Sequence, residues 1–145
     1  MAESSDQTPD GTLSHSDLRG PPAAGFTAPR FSIEEETLGD GTRLLLVGGE
    51  LDLATAPVLG TRIRRPLFWN DVTRVIVDLS GLEFIDSSGV RALLLSRGHA
   101  RALGTKLVVV CPEGGALRRL RLYGLESLLK VFPSRDEALR ATRPG

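Results

Sequence analysis

A short apolar run in the middle of the chain places the strongest limit on its fold. Residues 75–79, Val-Ile-Val-Asp-Leu, form a largely β-branched run that is bounded by polar residues. Such a run is typical of a strand covered on both faces, as in the sheets of α/β proteins. A helical pattern follows, in which Val90, Leu93 and Leu94 recur at the i, i+3, i+4 spacing. The chain therefore predicts a central strand, a short connection and a helix that begins near Ser87.

The segments on either side of this unit complete an α/β pattern. Residues 31–47 are typical of a hairpin of two strands with a turn at residues 39–41. Thr55 is predicted to cap a helix that has Pro57 in its first turn and ends near Pro66. The other predicted elements are a strand at 106–110, a helix at 116–123, a short strand at 129–132 and a last helix, capped by Ser134, that ends at Thr142. We expect a mixed β-sheet of about four to five strands with about four helices.

The first 30 residues differ in composition from the rest of the chain. They are rich in Ser, Asp, Thr, Pro and Gly, and their few apolar residues have no periodicity that could bury a face. We predict a disordered leader over residues 1–30 and a single domain over residues 31–143. A length of 145 residues with 41% hydrophobic content suits one domain. Within it, Phe68 and Trp69 are expected to cover the edge of the core.

Composition excludes several classes of function. The chain has 18 basic and 18 acidic residues, so it lacks the positive charge that most nucleic-acid binders use against phosphate. Cys111 is the only cysteine, which rules out an intrachain disulfide and a cysteine-rich zinc site and suits a reducing compartment. No apolar run approaches the roughly 20 residues of a membrane helix. We expect a cytoplasmic protein that has no metal or other cofactor and contacts neither nucleic acid nor membrane.

Ser87, at the start of a predicted helix, could be a catalytic nucleophile, but the sequence offers no general base within reach of its hydroxyl. His15 lies in the predicted leader, and His99 follows Ser87 on the same predicted helix, about 18 Å away at about 1.5 Å per residue. The surrounding Asp-Ser-Ser-Gly differs from the Gly-x-Ser-x-Gly elbow of hydrolases. The glycine pairs at 48–49 and 114–115 match no phosphate-binding loop. We therefore expect no catalytic residues and no enzymatic activity.

Polar residues at the strand-to-helix junction have two interpretations. Asp86 and Ser87 are residue types that commonly cap helices, and either could instead present its side chain to a partner. Ser88 would cap an amide in the first turn of the helix in the structural interpretation. Glu50 and Asp52, which follow the hairpin, are either solvated turn residues or partner contacts. Composition and spacing alone leave these alternatives open.

Several stretches of residues 31–142 resemble one bacterial family. The longest and most specific is VIVDLSGLEFIDSSG at residues 75–89. Shorter similar stretches occur in the family's order and spacing: GELD at 49–52 followed by Thr55 and Ala56, YGL at 123–125, VFPS at 131–134 and EAL at 137–139. On these residues, the chain resembles the bacterial anti-sigma factor antagonists that consist of a STAS domain.

The resemblance implies a phosphorylation switch. Ser87, with Ser88 as the alternative, would accept phosphate from a partner that is both an anti-sigma factor and a serine kinase with a histidine-kinase-like ATPase fold. A separate serine phosphatase would remove the phosphate. The unphosphorylated protein would hold the anti-sigma factor and release a sigma factor to RNA polymerase, and phosphorylation would reverse this. The residues expected at the partner contact are Glu50, Asp52, Asp86, Ser87, Ser88 and Gly89.

A second function is open within the same resemblance. The domain could be a STAS-type scaffold or sensor module that binds a small ligand or a nucleotide. The presence of the Asp-Ser-Ser-Gly sequence at residues 86–89 favours the phosphorylation switch. Binding to an anti-sigma factor would separate the two functions.

Overall fold

The computed structural model describes residues 31–143, which build a five-stranded sheet and five helices. The elements are β1 (Ser32–Leu38), β2 (Thr42–Leu51), α1 (Ala56–Leu67), β3 (Arg74–Ile85), α2 (Ser87–Ala102), β4 (Lys106–Val110), α3 (Gly115–Leu122), α4 (Glu126–Leu129), β5 (Val131–Phe132) and α5 (Arg135–Ala141). The strands are ordered β1-β2-β3-β4-β5, with β1 antiparallel to β2 and all other pairs parallel. The predicted mixed α/β fold is confirmed. The leader predicted at residues 1–30 lies outside the described residues.

The two faces of the sheet bury separate apolar clusters. Leu45 and Val77 belong to the larger cluster, which also takes in the buried faces of α1 to α4. Ile76 and Val108 point to the other face, where they pack with Ala138 of α5. Successive side chains of a strand alternate between faces, so a strand in the middle of this sheet must be apolar on both sides. The prediction that residues 75–79 form a doubly covered strand is therefore confirmed.

Strands β2 and β3 continue beyond their predicted ends and meet at the carboxyl edge of the sheet. Glu50 pairs with Phe84 and Leu51 with Ile85, after two shifts in register. Such irregularities let two strands of different length stay paired while their direction changes. The extension brings Glu50 to the same sheet edge as the start of α2.

The cap predicted for α1 is wrong in its detail. Thr55 precedes the helix, and Pro57 lies in the first turn, but the Thr55 side chain makes no capping hydrogen bond. Its hydroxyl instead accepts from the backbone N–H of Asp52 at 2.9 Å and donates to the carbonyl of Glu50 at 2.9 Å. The threonine therefore closes the turn between β2 and α1 and leaves the helix amides to other acceptors.

Two further differences separate the prediction from the structure. Phe68 does not cover the core, because its side chain is 72% exposed. Trp69 is also partly exposed, and its ring packs under the guanidinium of Arg43, 4.6 Å from the ring centroid. Leu129, predicted in the last strand, belongs instead to α4, a single turn too short to show a helical period.

Cys111 follows β4 and is buried, which makes its reactivity a test of the core. Burial, followed by the nearby Asp78 carboxylate, raises the pKa of its thiol from 9.0 to about 11. We expect iodoacetamide at a pH of about 8 to modify the native protein far more slowly than the urea-unfolded chain. Because the folded pKa is the higher one, the thiol's contribution to stability is complete below about pH 9 and is lost as the pH rises to about 11. Equal rates in the native and unfolded states would contradict this packing.

Candidate functional site

Ser87 is the first residue of α2 and lies exposed at the carboxyl end of β3. Asp86 is the N-cap, with extended backbone, and its carboxylate accepts from the N–H groups of Ser88 at 2.8 Å and Gly89 at 3.1 Å. Of the two interpretations of Asp86, the capping role is therefore present in the structure. Among the described residues the Ser88 hydroxyl makes no capping hydrogen bond, because the Asp86 carboxylate accepts from the first-turn amides. Among residues 31–143, the Ser87 hydroxyl makes no hydrogen bond and faces solvent.

Close packing at Gly89 holds the beginning of α2 against the sheet. A Cβ at this position would lie 2.6 Å from Cγ of Leu51 and 2.9 Å from Cγ1 of Ile85, both fully buried. The N–H of Asp86 also donates to the carbonyl of Leu51 at 3.1 Å. Asp86 and Gly89, on either side of Ser87, both contact Leu51 at the end of β2. The segment that carries Ser87 is therefore held against the sheet.

Two carboxylates predicted as partner contacts have different surroundings. Asp52 accepts from the N–H groups of Ala54 at 3.0 Å and Thr55 at 3.2 Å, so it organises the turn before α1. Glu50 is half-buried, and within the described part of the chain its side chain makes no hydrogen bond. The strand register places both residues on the edge that carries Asp86. Three carboxylate residues thus lie at the end of the sheet that also carries Ser87.

A groove beside Ser88 was not predicted. It lies between α1 and α2, has a volume of about 410 Å³, and is lined in part by Ser88, Arg64 and Arg91. Leu53 and Leu95 also line it, although both are exposed. Exposed leucines next to a candidate contact residue are a feature of interaction surfaces. The exposure of these leucines depends on how the two helices pack, so it could not be predicted from the sequence pattern.

The residues considered for catalysis and metal binding remain apart. Ser87 and His99 lie at the two ends of α2, about 18 Å apart along the helix axis. Within residues 31–143, no three His, Cys, Asp or Glu side chains cluster so that they could hold a metal ion. In the same range, no helix combines the length and apolar character needed to cross a membrane.

Comparison with known proteins gives one family over most of the chain. The model of the STAS domain matches residues 36–138. The anti-sigma-F factor antagonist RsfB of Mycobacterium tuberculosis is 31% identical over 106 residues, which cover 73% of this chain and 85% of that protein. The matched region includes β3, the junction at Ser87 and α2.

Solved structures give the same result at the level of the fold. An anti-sigma factor antagonist from Mycobacterium paratuberculosis has a TM-score of 0.70 and 29% identity, covering 79% of this chain and 95% of that one. The Bacillus cell fate determinant SpoIIAA, in its phosphorylated form, has a TM-score of 0.59 and 23% identity, covering 77% of this chain and 100% of that one. The likeness to SpoIIAA is one of fold alone.

Proposed function

The chain belongs to the STAS domain family, and we propose that it is an anti-sigma factor antagonist whose binding is switched off by phosphate on Ser87. The observation that carries the proposal is an exposed serine hydroxyl at the first position of a helix whose start is fixed by Asp86 and Gly89. The relative RsfB, which matches over most of its length, is named an antagonist of an anti-sigma factor. The proposed partner is accordingly an anti-sigma factor.

The proposed cycle needs two enzymes besides this chain. The anti-sigma factor is proposed to be a serine kinase that transfers the γ-phosphate of ATP to the Ser87 hydroxyl. A separate serine phosphatase hydrolyses the phosphoserine and restores binding. In this cycle the present chain is a substrate and a binding protein, with no catalytic residue of its own. Because the sigma factor acts on RNA polymerase, the proposed location is the cytoplasm.

Exposure supports Ser87 over Ser88 as the acceptor. The Ser87 side chain is exposed, whereas Ser88 is partly buried and lines the groove between α1 and α2. A kinase must surround the acceptor hydroxyl, and the first helical position offers that access without opening the fold. Ser88 is instead proposed to contact the partner.

The folded domain can accept a phosphate at Ser87. A phosphoserine carries about 1.5 to 2 negative charges near neutral pH. At the first position of α2, the partial positive charge of the helix N-terminus stabilises the added negative charge. The Ser87 side chain also has no buried contact that the phosphate would have to displace. We therefore expect the fold to persist and the switch to act through the interface.

The loss of binding is proposed to come from accumulated negative charge. Glu50, Asp52 and Asp86 already lie at the edge that carries Ser87. A phosphate added there would have to be desolvated beside three carboxylates when the partner docks. A penalty of about 1.4 kcal/mol lowers affinity tenfold, so even a part of this repulsion is enough for a switch.

The test uses the full chain, a candidate anti-sigma factor kinase from the same organism, and ATP. We expect phosphate on Ser87 by mass spectrometry and at least a tenfold weaker complex after phosphorylation, measured by titration calorimetry. Ser87→Ala should bind without being phosphorylated, and Ser87→Glu should bind weakly. Ser88→Ala is the matched control, and it should still be phosphorylated at residue 87.

Two outcomes would overturn the proposal. Phosphate found only on Ser88 would show that Ser88 is the acceptor. It would contradict the argument that the greater exposure of Ser87 selects it for phosphorylation. Failure of every candidate anti-sigma factor to bind unphosphorylated protein would transfer the function to the scaffold or sensor alternative.

A further inference from the structure

A basic pocket lies at the other end of α2 from Ser87, and we propose that it binds a small anion that carries two or more phosphate groups. The basic pocket is a cavity of about 400 Å³ whose cationic lining residues are Arg97, Arg101, Lys106 and Lys130. Thr142, after α5, completes one wall. Arg97 follows Ser87 by ten residues, about 15 Å along the helix, so the pocket is separate from the proposed switch.

The four cations converge from different elements without acidic partners. They come from α2, the first residue of β4 and the residue after α4, and no lining residue is acidic. Within residues 31–143, none of the four forms an ion pair, whereas Arg43, Arg62, Arg121 and Arg135 all do. In a chain of zero net charge, this grouping creates a local positive field that attracts anions.

A buried arginine contacts Thr142, one of the residues that line the pocket. Arg74 is only 5% exposed, and it donates to Thr42, to the Leu139 carbonyl at 3.0 Å and to the Thr142 hydroxyl at 2.9 Å. All three acceptors are neutral, and no carboxylate contacts the guanidinium among the described residues. A buried cation without a counterion is costly. The Thr142 hydroxyl donates to the Ala138 carbonyl at 2.6 Å, so Arg74 adds to the pocket through its positive charge alone.

Helix electrostatics explain only part of this arrangement. Arg101 lies in the last turn of α2, where a cation interacts favourably with the helix C-terminus. That reason does not extend to Lys106 in a strand. Lys130 has a φ of 53°, the left-handed conformation in which glycine or asparagine is usual. Lys130 is the C-cap of α4, where this conformation is common, so its backbone has a structural explanation and its side-chain charge is what bears on the pocket.

The pocket favours a phosphate ligand over other anions. Arginine guanidinium groups bind phosphate oxygens in pairs, and lysine supplies compact charges that follow a chain of phosphates. The volume lies within the range of small-molecule sites. No aromatic residue lines the pocket, so a nucleobase would find no ring to stack on. We therefore expect recognition through the phosphates, whether the source is an inorganic polyphosphate or a nucleotide.

Calorimetric titration of the full chain with tripolyphosphate, and separately with ATP, tests the proposal at low salt. The variant Lys106→Gln/Lys130→Gln removes two exposed charges. Glutamine at residue 130 has to adopt the same left-handed backbone conformation as lysine, so the substitution changes the charge and leaves the backbone requirement the same. The control Arg118→Gln/Arg140→Gln removes the same net charge from exposed positions outside the pocket. We expect saturable binding by the wild type and the control, and at least tenfold weaker binding by the lysine variant.

The two probes distinguish the source of the phosphates. Equal affinity for tripolyphosphate and ATP would show that the phosphates alone are recognised and assign the site to polyphosphate, and tighter ATP binding that is still lost in the lysine variant would assign it to a nucleotide. No saturable binding of either probe, or equal weakening in the lysine variant and the control, would overturn the proposal. Ser87→Ala should bind both probes as the wild type does, so the result is independent of the switch.

Discussion

Replacing Gly89 with alanine is expected to lower the free energy of unfolding by about 1 to 3 kcal/mol. The added Cβ would lie 2.6 Å from Leu51 and 2.9 Å from Ile85, in a fully buried corner where neither side chain has room to move. The first turn of α2 must then shift away from the sheet and carry Ser87 with it. Urea denaturation measures the stability, and the rate of phosphorylation by the anti-sigma factor kinase measures the displacement.

Gly98 provides the matched control on the same helix. A Cβ there meets nothing within 4 Å, so Gly98→Ala should gain up to about 1 kcal/mol from helix propensity. The two alanine substitutions are therefore expected to change stability in opposite directions. A stable Gly89→Ala variant with normal phosphorylation would show that the corner is not close-packed.

Removing the cation that faces Asp78 is the second substitution with a large expected effect. The Asp78 side chain is only 3% exposed, and its carboxylate accepts from Nε of Arg135 at 2.7 Å and from the N–H of Ser80 at 2.8 Å. Arg135→Ala leaves the buried carboxylate with only the Ser80 donors. We expect a loss of about 2 kcal/mol, less than for a fully buried pair because the arginine is 43% exposed.

Arg121→Ala is the control for this ion pair. Arg121 pairs with Glu113 and Glu126 on the surface, where water screens both charges, so the urea midpoint should hardly change. The double variant Asp78→Asn/Arg135→Ala should lose less stability than the two single changes together, because it leaves no unpaired buried charge. Additive losses would indicate that the pair contributes nothing through its charges.

The central unit of the fold and its exposed serine could be predicted from sequence. A run of five residues that is apolar except for Asp78 and a following 3.6-residue period are local patterns, and local patterns define strands and helices. The position of Ser87 at a helix start followed directly from where that period begins. The Ser134 cap was predicted for the same reason, and its hydroxyl accepts from the N–H of Glu137 at 3.2 Å.

Tertiary structure alone decided the surroundings of Ser87. The choice of Asp86 over Ser88 as the cap depends on backbone geometry that both residue types could adopt. The pairing of Glu50 with Phe84, near the start of α2, depends on two shifts in strand register, which no local pattern encodes. The constraint on Gly89 comes from Leu51, 38 positions earlier in the chain.

Tertiary structure also decided which residues are exposed and which charges lie together. Phe68 is a residue type that usually lies in the core, and only the path of the chain after α1 leaves it exposed to solvent. The basic pocket brings together residues 97 and 142, which are separated in sequence by three helices and two strands. The sequence alone determined most of the elements and the place of Ser87 on one of them, because those depend on neighbours along the chain. Packing decided the surroundings of every site, because those depend on residues that become neighbours only after folding.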